Sequence, residues 1–243
     1  MKFRSIYSPN FNKEKRTKTS IKFIIIHYTG MQSGRESLFR LCDKKYKVSS
    51  HYFIKDNGEV IKLVKDYNIA WHAGKSYWKN YKNLNKNSIG IELTNKGHKF
   101  GYTNFKKKQL SSLIKICKIL IKKYKIKKEN VIGHSDIAPS RKIDPGEKFP
   151  WKKLAKIKIG KWHNCKSTKL RKMRRIKISP RFKILFIKNL KNIGYYFINK
   201  NKRNVFKIVQ AFQRHYRPEL INGIIDKECF IIAANLTKNF KNT

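Results

Sequence analysis

Two apolar runs limit what this chain can fold into: residues 21–28, IKFIIIHY, and residues 88–94, SIGIELT. A strand with one wet face alternates apolar and polar residues; these runs do not alternate, so both belong to strands covered on both faces. Two such strands require a central sheet with a layer on each side. Residues 51–64, HYFIKDNGEVIKLV, add two strand-like runs around Asp56-Asn57-Gly58, a hairpin signal because Asn and Gly accept positive φ. Residues 130–134, NVIGH, read as a short strand ending in a loop that bears a histidine. Between them, Phe105 to Tyr124 is helical: Leu110, Leu113, Ile114, Cys117, Leu120, Ile121 and Tyr124 recur at three- and four-residue steps, with lysines opposite. This alternation predicts an α/β (α+β) fold, a mixed central β-sheet flanked by helices.

After Trp151 the character changes. The expected division is an N-terminal extension over 1–20, a main domain over 21–155, a basic linker over 156–178 and a small three-helix domain over 179–243. Ser179-Pro180 suits a helix start, and Phe182, Leu185, Phe186, Leu190 and Ile193 form its apolar stripe, stopped by Gly194. Val205, Ile208, Val209, Phe212 and Tyr216 form a second stripe, and Asp226 caps a third helix through Phe230, Ile231 and Ala234.

The charge is extreme, with a formal net of +45. Such a field attracts any polyanion. However, 47 of the 59 basic residues are lysine and the chain is also crowded with Ile and Asn, so A/T-rich codons account for much of the charge without a partner. Arg171, Arg174 and Arg175 are the best support for nucleic-acid binding, but no recognised motif accompanies them, and no specific nucleic-acid partner is expected. Cys42, Cys117, Cys165 and Cys229 lie far apart and give neither a zinc-thiolate set nor a disulfide framework. Reduced thiols, no apolar leader, no lipidation motif and no transmembrane segment predict a cytoplasmic monomer; a periplasmic location requires a misassigned start.

Three polar groups stand where strands give way to loops: His27, His134 and, ten residues later, Asp144. Two imidazoles and a carboxylate are a common ligand set for catalytic zinc. Taken singly, a strand-end histidine is more often a hydrogen-bonded structural residue than a ligand, and an Asp before Pro is more often a turn former. Glu92 is an acid inside an apolar strand, costly there unless paired or facing a cleft. In a cleft it can serve as a general base. Lys142 would share Asp144's side of an extended loop and stabilise an oxyanion, or is simply one more lysine.

Together these stretches resemble a known family. HYTG at 27–30, AWHAG at 70–74, SIGIEL at 88–93, GHSDIAP at 133–139 and RKIDPGEKFPW at 141–151 look like the zinc-dependent N-acetylmuramoyl-L-alanine amidases of the AmpD-like type, the amidase-2 family. GYYF at 194–197 and AFQRHYRPELINGIIDKE at 211–228 resemble the helical peptidoglycan-binding domain of the AmiD-type branch. The resemblance implies Zn2+ on His27, His134 and Asp144, Glu92 as general base and Lys142 as transition-state stabiliser. It implies substrate contacts at Trp71 and His72, with Tyr28 and Thr29 beside the metal. His51 reads as structural, and His98, His163 and His215 as non-catalytic. The implied substrate is peptidoglycan or a muropeptide, cut between muramic acid and L-alanine; a recognition protein that binds muropeptide without cutting it is the alternative.

Overall fold

Side-chain alternation along two neighbouring strands decides where everything else packs. The computed structural model describes residues 4–199 and 201–241; residues 1–3 of the expected extension, and 200, 242 and 243 of the expected helical domain, lie outside the described residues. Strand Phe23–Tyr28 runs parallel to strand Ser88–Leu93, with His27 opposite Glu92. The sheet has six strands. Val131–Gly133 pairs parallel on the far side of the His27 strand, and Tyr52–Ile54 pairs parallel beside the Glu92 strand. Val60–Lys62 is antiparallel to Tyr52–Ile54, as the Asp56-Asn57-Gly58 turn predicts, with Gly58 at φ +86°.

One face of this sheet carries Ile24, Ile26, Ile89, Ile91 and Leu93, which pack beneath helix Lys107–Tyr124 through Leu113, Ile116, Cys117 and Leu120. The other face carries Phe23, Ile25 and His27 from one strand, and Ser88, Gly90 and Glu92 from its neighbour, because successive side chains point to opposite sides. Phe23 and Ile25 share a continuous apolar cluster with Phe186, Leu190, Tyr195, Ile208 and Phe212. Apart from Tyr195 these partners come from helices Pro180–Ile193 and Lys202–Tyr216, and helix Lys227–Lys241 adds Cys229, Ile232, Ala233 and Leu236 to the same cluster. The C-terminal module therefore serves as the second covering layer for part of the sheet.

Two of the expected segments differ from a simple extension and linker. Arg4–Ser5 forms the parallel edge strand beside Val60–Lys62, and Phe11–Asn12 pairs antiparallel with Ile69–Ala70. Arg16 is buried and donates to the carbonyls of Asp66, Asn85, Lys86 and Ser88. The stretch 156–178 contains helix Ser167–Met173, and its Ile159 and Leu170 are buried in the two main cores, so the lysines there clothe a packed segment. In the first C-terminal helix, Phe186, Leu190 and Ile193 are buried as expected, whereas Phe182 and Leu185 are exposed. No helix among the described residues is long and apolar enough to cross a membrane.

Candidate active site

The three expected ligands meet at one point. His27 lies near the C-terminal end of its strand, His134 directly follows strand Val131–Gly133, and Asp144 sits in the proline-rich loop. His27 Nδ1 and His134 Nδ1 are 2.9 Å apart, and Asp144 Oδ2 is 3.1 Å from each. All three residues are buried. The loop is held by Ser135 N–H, which donates to the Asp144 carbonyl, and by Asp136, whose Oδ2 accepts from Gly133 N–H. His134 Nε2 lies 3.2 Å from the Ala73 carbonyl, which can only accept, so the ring proton sits on Nε2 and Nδ1 offers a lone pair to the centre.

The electrostatics suit a cation. Burial, then the neighbouring His134, lower the His27 pKa to about 4, so this imidazole is neutral and able to ligate at neutral pH. Burial alone would raise Asp144, but His134 and His27 hold it well below the usual carboxylate range. Two neutral nitrogens and an anionic oxygen, each within 4.8 Å of the others, form a donor set fit for zinc. Among the described residues this is the only such cluster.

A cleft of about 860 Å3 opens over this point, and Glu92, Lys142, Tyr28, Thr29 and Arg141 line it with His27, His134 and Asp144. Glu92 Oε2 is buried and has no hydrogen-bond partner among the described residues. Burial and then the charge of Asp144 push the Glu92 carboxyl up to about 8, while Lys142 draws it down. A cation on the triad would lower it further. Lys142 is half-buried in the same cleft. The Tyr28 hydroxyl lies 2.9 Å from His98 Nδ1, and His98 faces Glu147 through Nε2 at 3.0 Å.

The two residues expected as contacts from AWHAG part company. Trp71 does not line the cleft; its indole N–H donates to Asn12 Oδ1 at 2.6 Å, because strand Phe11–Asn12 lies alongside. His72 reaches the cleft, but its ring nitrogens face His27 and Ser88. His51 is buried away from the opening, where its Nδ1 accepts from Gly90 N–H. His163 and His215 lie outside the cleft lining, and Arg174 is paired with Glu228 at 2.7 Å. Sequence reading missed Ala73 and Arg141: the Ala73 carbonyl takes N–H bonds from both His134 and Arg141, which also bonds the Lys75 carbonyl. Neither carried a sequence signal of its own, whereas the close approach of neighbouring His72 did. A glycine inside a buried strand marks close approach by another group, and a Cβ on Gly90 would lie 2.4 Å from the His72 ring.

A donor set of this kind at the C-terminal ends of parallel strands, open to a cleft, is the arrangement that a metal-dependent hydrolase needs. The comparisons narrow this. The family model described as N-acetylmuramoyl-L-alanine amidase matches residues 17–147. AmiD of Escherichia coli (strain K12) is 37% identical over 233 residues, covering 90% of this chain and 83% of AmiD. The solved complex of E. coli AmiD with the substrate anhydro-N-acetylmuramic acid-L-Ala-D-gamma-Glu-L-Lys superposes with a TM-score of 0.81 at 35% identity, covering 96% of this chain and 94% of that one. The shorter AmpD of Haemophilus influenzae, a 1,6-anhydro-N-acetylmuramyl-L-alanine amidase, is 32% identical over 174 residues, which is 64% of this chain and 92% of AmpD. The chain belongs to the N-acetylmuramoyl-L-alanine amidase family.

Proposed function

We propose that the protein hydrolyses the amide between the lactyl group of N-acetylmuramic acid, or its anhydro form, and L-alanine in muropeptides, in peptidoglycan turnover or recycling. The observation that carries this reading is the convergence of His27, His134 and Asp144 at 2.9–3.1 Å beneath a cleft that also holds Glu92 and Lys142. The triad would hold Zn2+, which supplies a Lewis acid for the lactyl carbonyl and lowers the pKa of a bound water towards neutrality. Glu92 takes a proton from the attacking water and returns it to the alanine nitrogen as the C–N bond breaks; the new lactyl acid's proton also passes to that nitrogen, leaving a carboxylate and an ammonium. The Lys142 ammonium faces the carbonyl oxygen as it becomes negative. Tyr28 and Thr29, at the cleft wall, are placed to touch substrate.

The relatives support the substrate class: AmiD has been solved with an anhydro-muropeptide, and AmpDh3 of Pseudomonas aeruginosa with an anhydromuramic pentapeptide. The four cysteines are free, which favours the cytoplasm, and the protein is read as a monomer. The decisive experiment follows release of the L-Ala peptide from an anhydro-muropeptide and from intact sacculi by mass spectrometry. Cleavage is expected with zinc, with loss on chelation and a fall of about 100- to 10,000-fold in Glu92→Gln. Undiminished turnover after either change overturns the mechanism.

A further inference from the structure

Hydrogen-bond polarity at the back of the metal site follows from one serine. Ser88 Oγ lies 2.6 Å from the Leu84 carbonyl oxygen. A carbonyl only accepts, so the single hydroxyl proton of Ser88 points there. Toward His72 Nε2, 3.2 Å away, Ser88 Oγ can therefore only accept, and Nε2 carries a proton. A second proton on this ring would bury a cation, uncompensated, against His27, with His51 and Arg16 close behind. His72 Nδ1 is thus bare. It stands 3.0 Å from His27 Nε2, which must donate to it. A neutral imidazole has one proton, so His27 Nδ1 is left with its lone pair directed at His134 Nδ1 and Asp144 Oδ2.

We propose that His72, oriented by Ser88, is a positioning residue that fixes the tautomer of His27 and holds its Nδ1 ready for metal. The inference rests on the reading that the metal sits on His27, His134 and Asp144. It gives the segment 70–74 one job at both histidines, since the adjacent Ala73 carbonyl sets the tautomer of His134 in the same way. The geometry is tight. His72 and Ser88 are both buried, and the His72 ring lies against the bare Cα of Gly90, where a Cβ would collide at 2.4 Å. The ring has little freedom to turn, and Ser88 leaves it a single tautomer.

The test uses the full-length protein labelled with 15N on histidine. Long-range 1H–15N spectra of the metal-free form at neutral pH are expected to show both His27 and His72 protonated on Nε2. Zinc affinity, measured by competition with a chromogenic chelator, is expected to fall about 10- to 100-fold in His72→Leu. It should return most of the way in His72→Gln, whose amide oxygen accepts from His27 while its NH2 donates to Ser88. A purely structural role would instead make affinity track melting temperature, with no rescue by glutamine. A proton on Nδ1 of His72 in the wild-type spectrum overturns the proposal, whether or not the variants fold. So does wild-type affinity in His72→Leu. If wild-type protein binds no zinc, the reading of the triad fails and this inference with it. If it binds zinc and cleaves muropeptide while His72→Leu binds equally well, only this inference fails.

Discussion

At the scale of single residues, Gly90 shows how a small side chain controls the site without touching it chemically. It lies on the Glu92 strand between Ser88 and Glu92, on the face that turns toward the cleft. A methyl group there would sit 2.4 Å from His72 Cγ and 2.6 Å from Nδ1, distances that require movement. Moving the ring breaks the bond to His27; moving the strand shifts Glu92. Gly90→Ala is therefore expected to destabilise the fold by about 1–3 kcal/mol and to weaken zinc binding. Thermal melting and metal titration measure the two effects. A variant that melts and binds zinc like wild type would show that the ring has room the structure denies it.

At the scale of elements, the N-terminal arm is the case where sequence pattern and structure diverge most. Polar and basic, it offers no periodicity, yet Arg16 is a buried peg. Its guanidinium bonds four backbone carbonyls, among them that of Ser88 at 2.6 Å, and thereby ties the arm to the start of the Glu92 strand. Arg16→Leu would strip the buried Asp66 and Ser88 carbonyls of this donor, each worth about 1–3 kcal/mol. A loss of at least 3 kcal/mol is expected in denaturant unfolding, and an unchanged midpoint would refute the peg. The same contrast explains what was legible beforehand. The buried strands, the hairpin and the long helix follow from local patterns of apolar residues. His27, His134, Asp144, Glu92 and Lys142 stood out by their positions at strand ends, in an apolar strand and on one loop, but their roles came from motifs that resembled a family. The partnerships of Arg16 with residues about 70 positions away, of His72 with His27, and of Trp71 with Asn12 depend on tertiary pairing that no local pattern encodes. Leu185 sits in an apolar stripe yet faces solvent, because a stripe wider than the contact leaves its rim uncovered.

At the scale of the whole molecule, buried neutral histidines set a pH limit. Burial, reinforced by Arg16, lowers His51 to about 3, and burial lowers His163 to about 4. In the unfolded chain both take a proton near pH 6.5. Between about pH 6.5 and pH 4 the unfolded state therefore binds more protons, and stability falls as pH falls, by about 1.4 kcal/mol per pH unit for each fully shifted group. Melting temperature should drop steadily from pH 7 to pH 5; a flat profile would contradict it. The larger question at this scale is whether the catalytic part stands alone. Asp136, two residues past His134, accepts from Tyr195 hydroxyl and faces His215 Nδ1, both at 2.7 Å and both from the C-terminal module. His215 also stacks on Trp151 at 4.1 Å between ring centres. Phe23, Ile25 and Trp78 share their core with the same helices. Removing residues 179–243 would bare that apolar face and strip a buried carboxylate of two partners, next to the loop that presents His134. The fragment ending at residue 178 is expected to aggregate or to melt well below the full chain, and Tyr195→Phe to destabilise by about 1–3 kcal/mol. A soluble fragment with full-length melting temperature would mean that the helices rest on the sheet without supporting it.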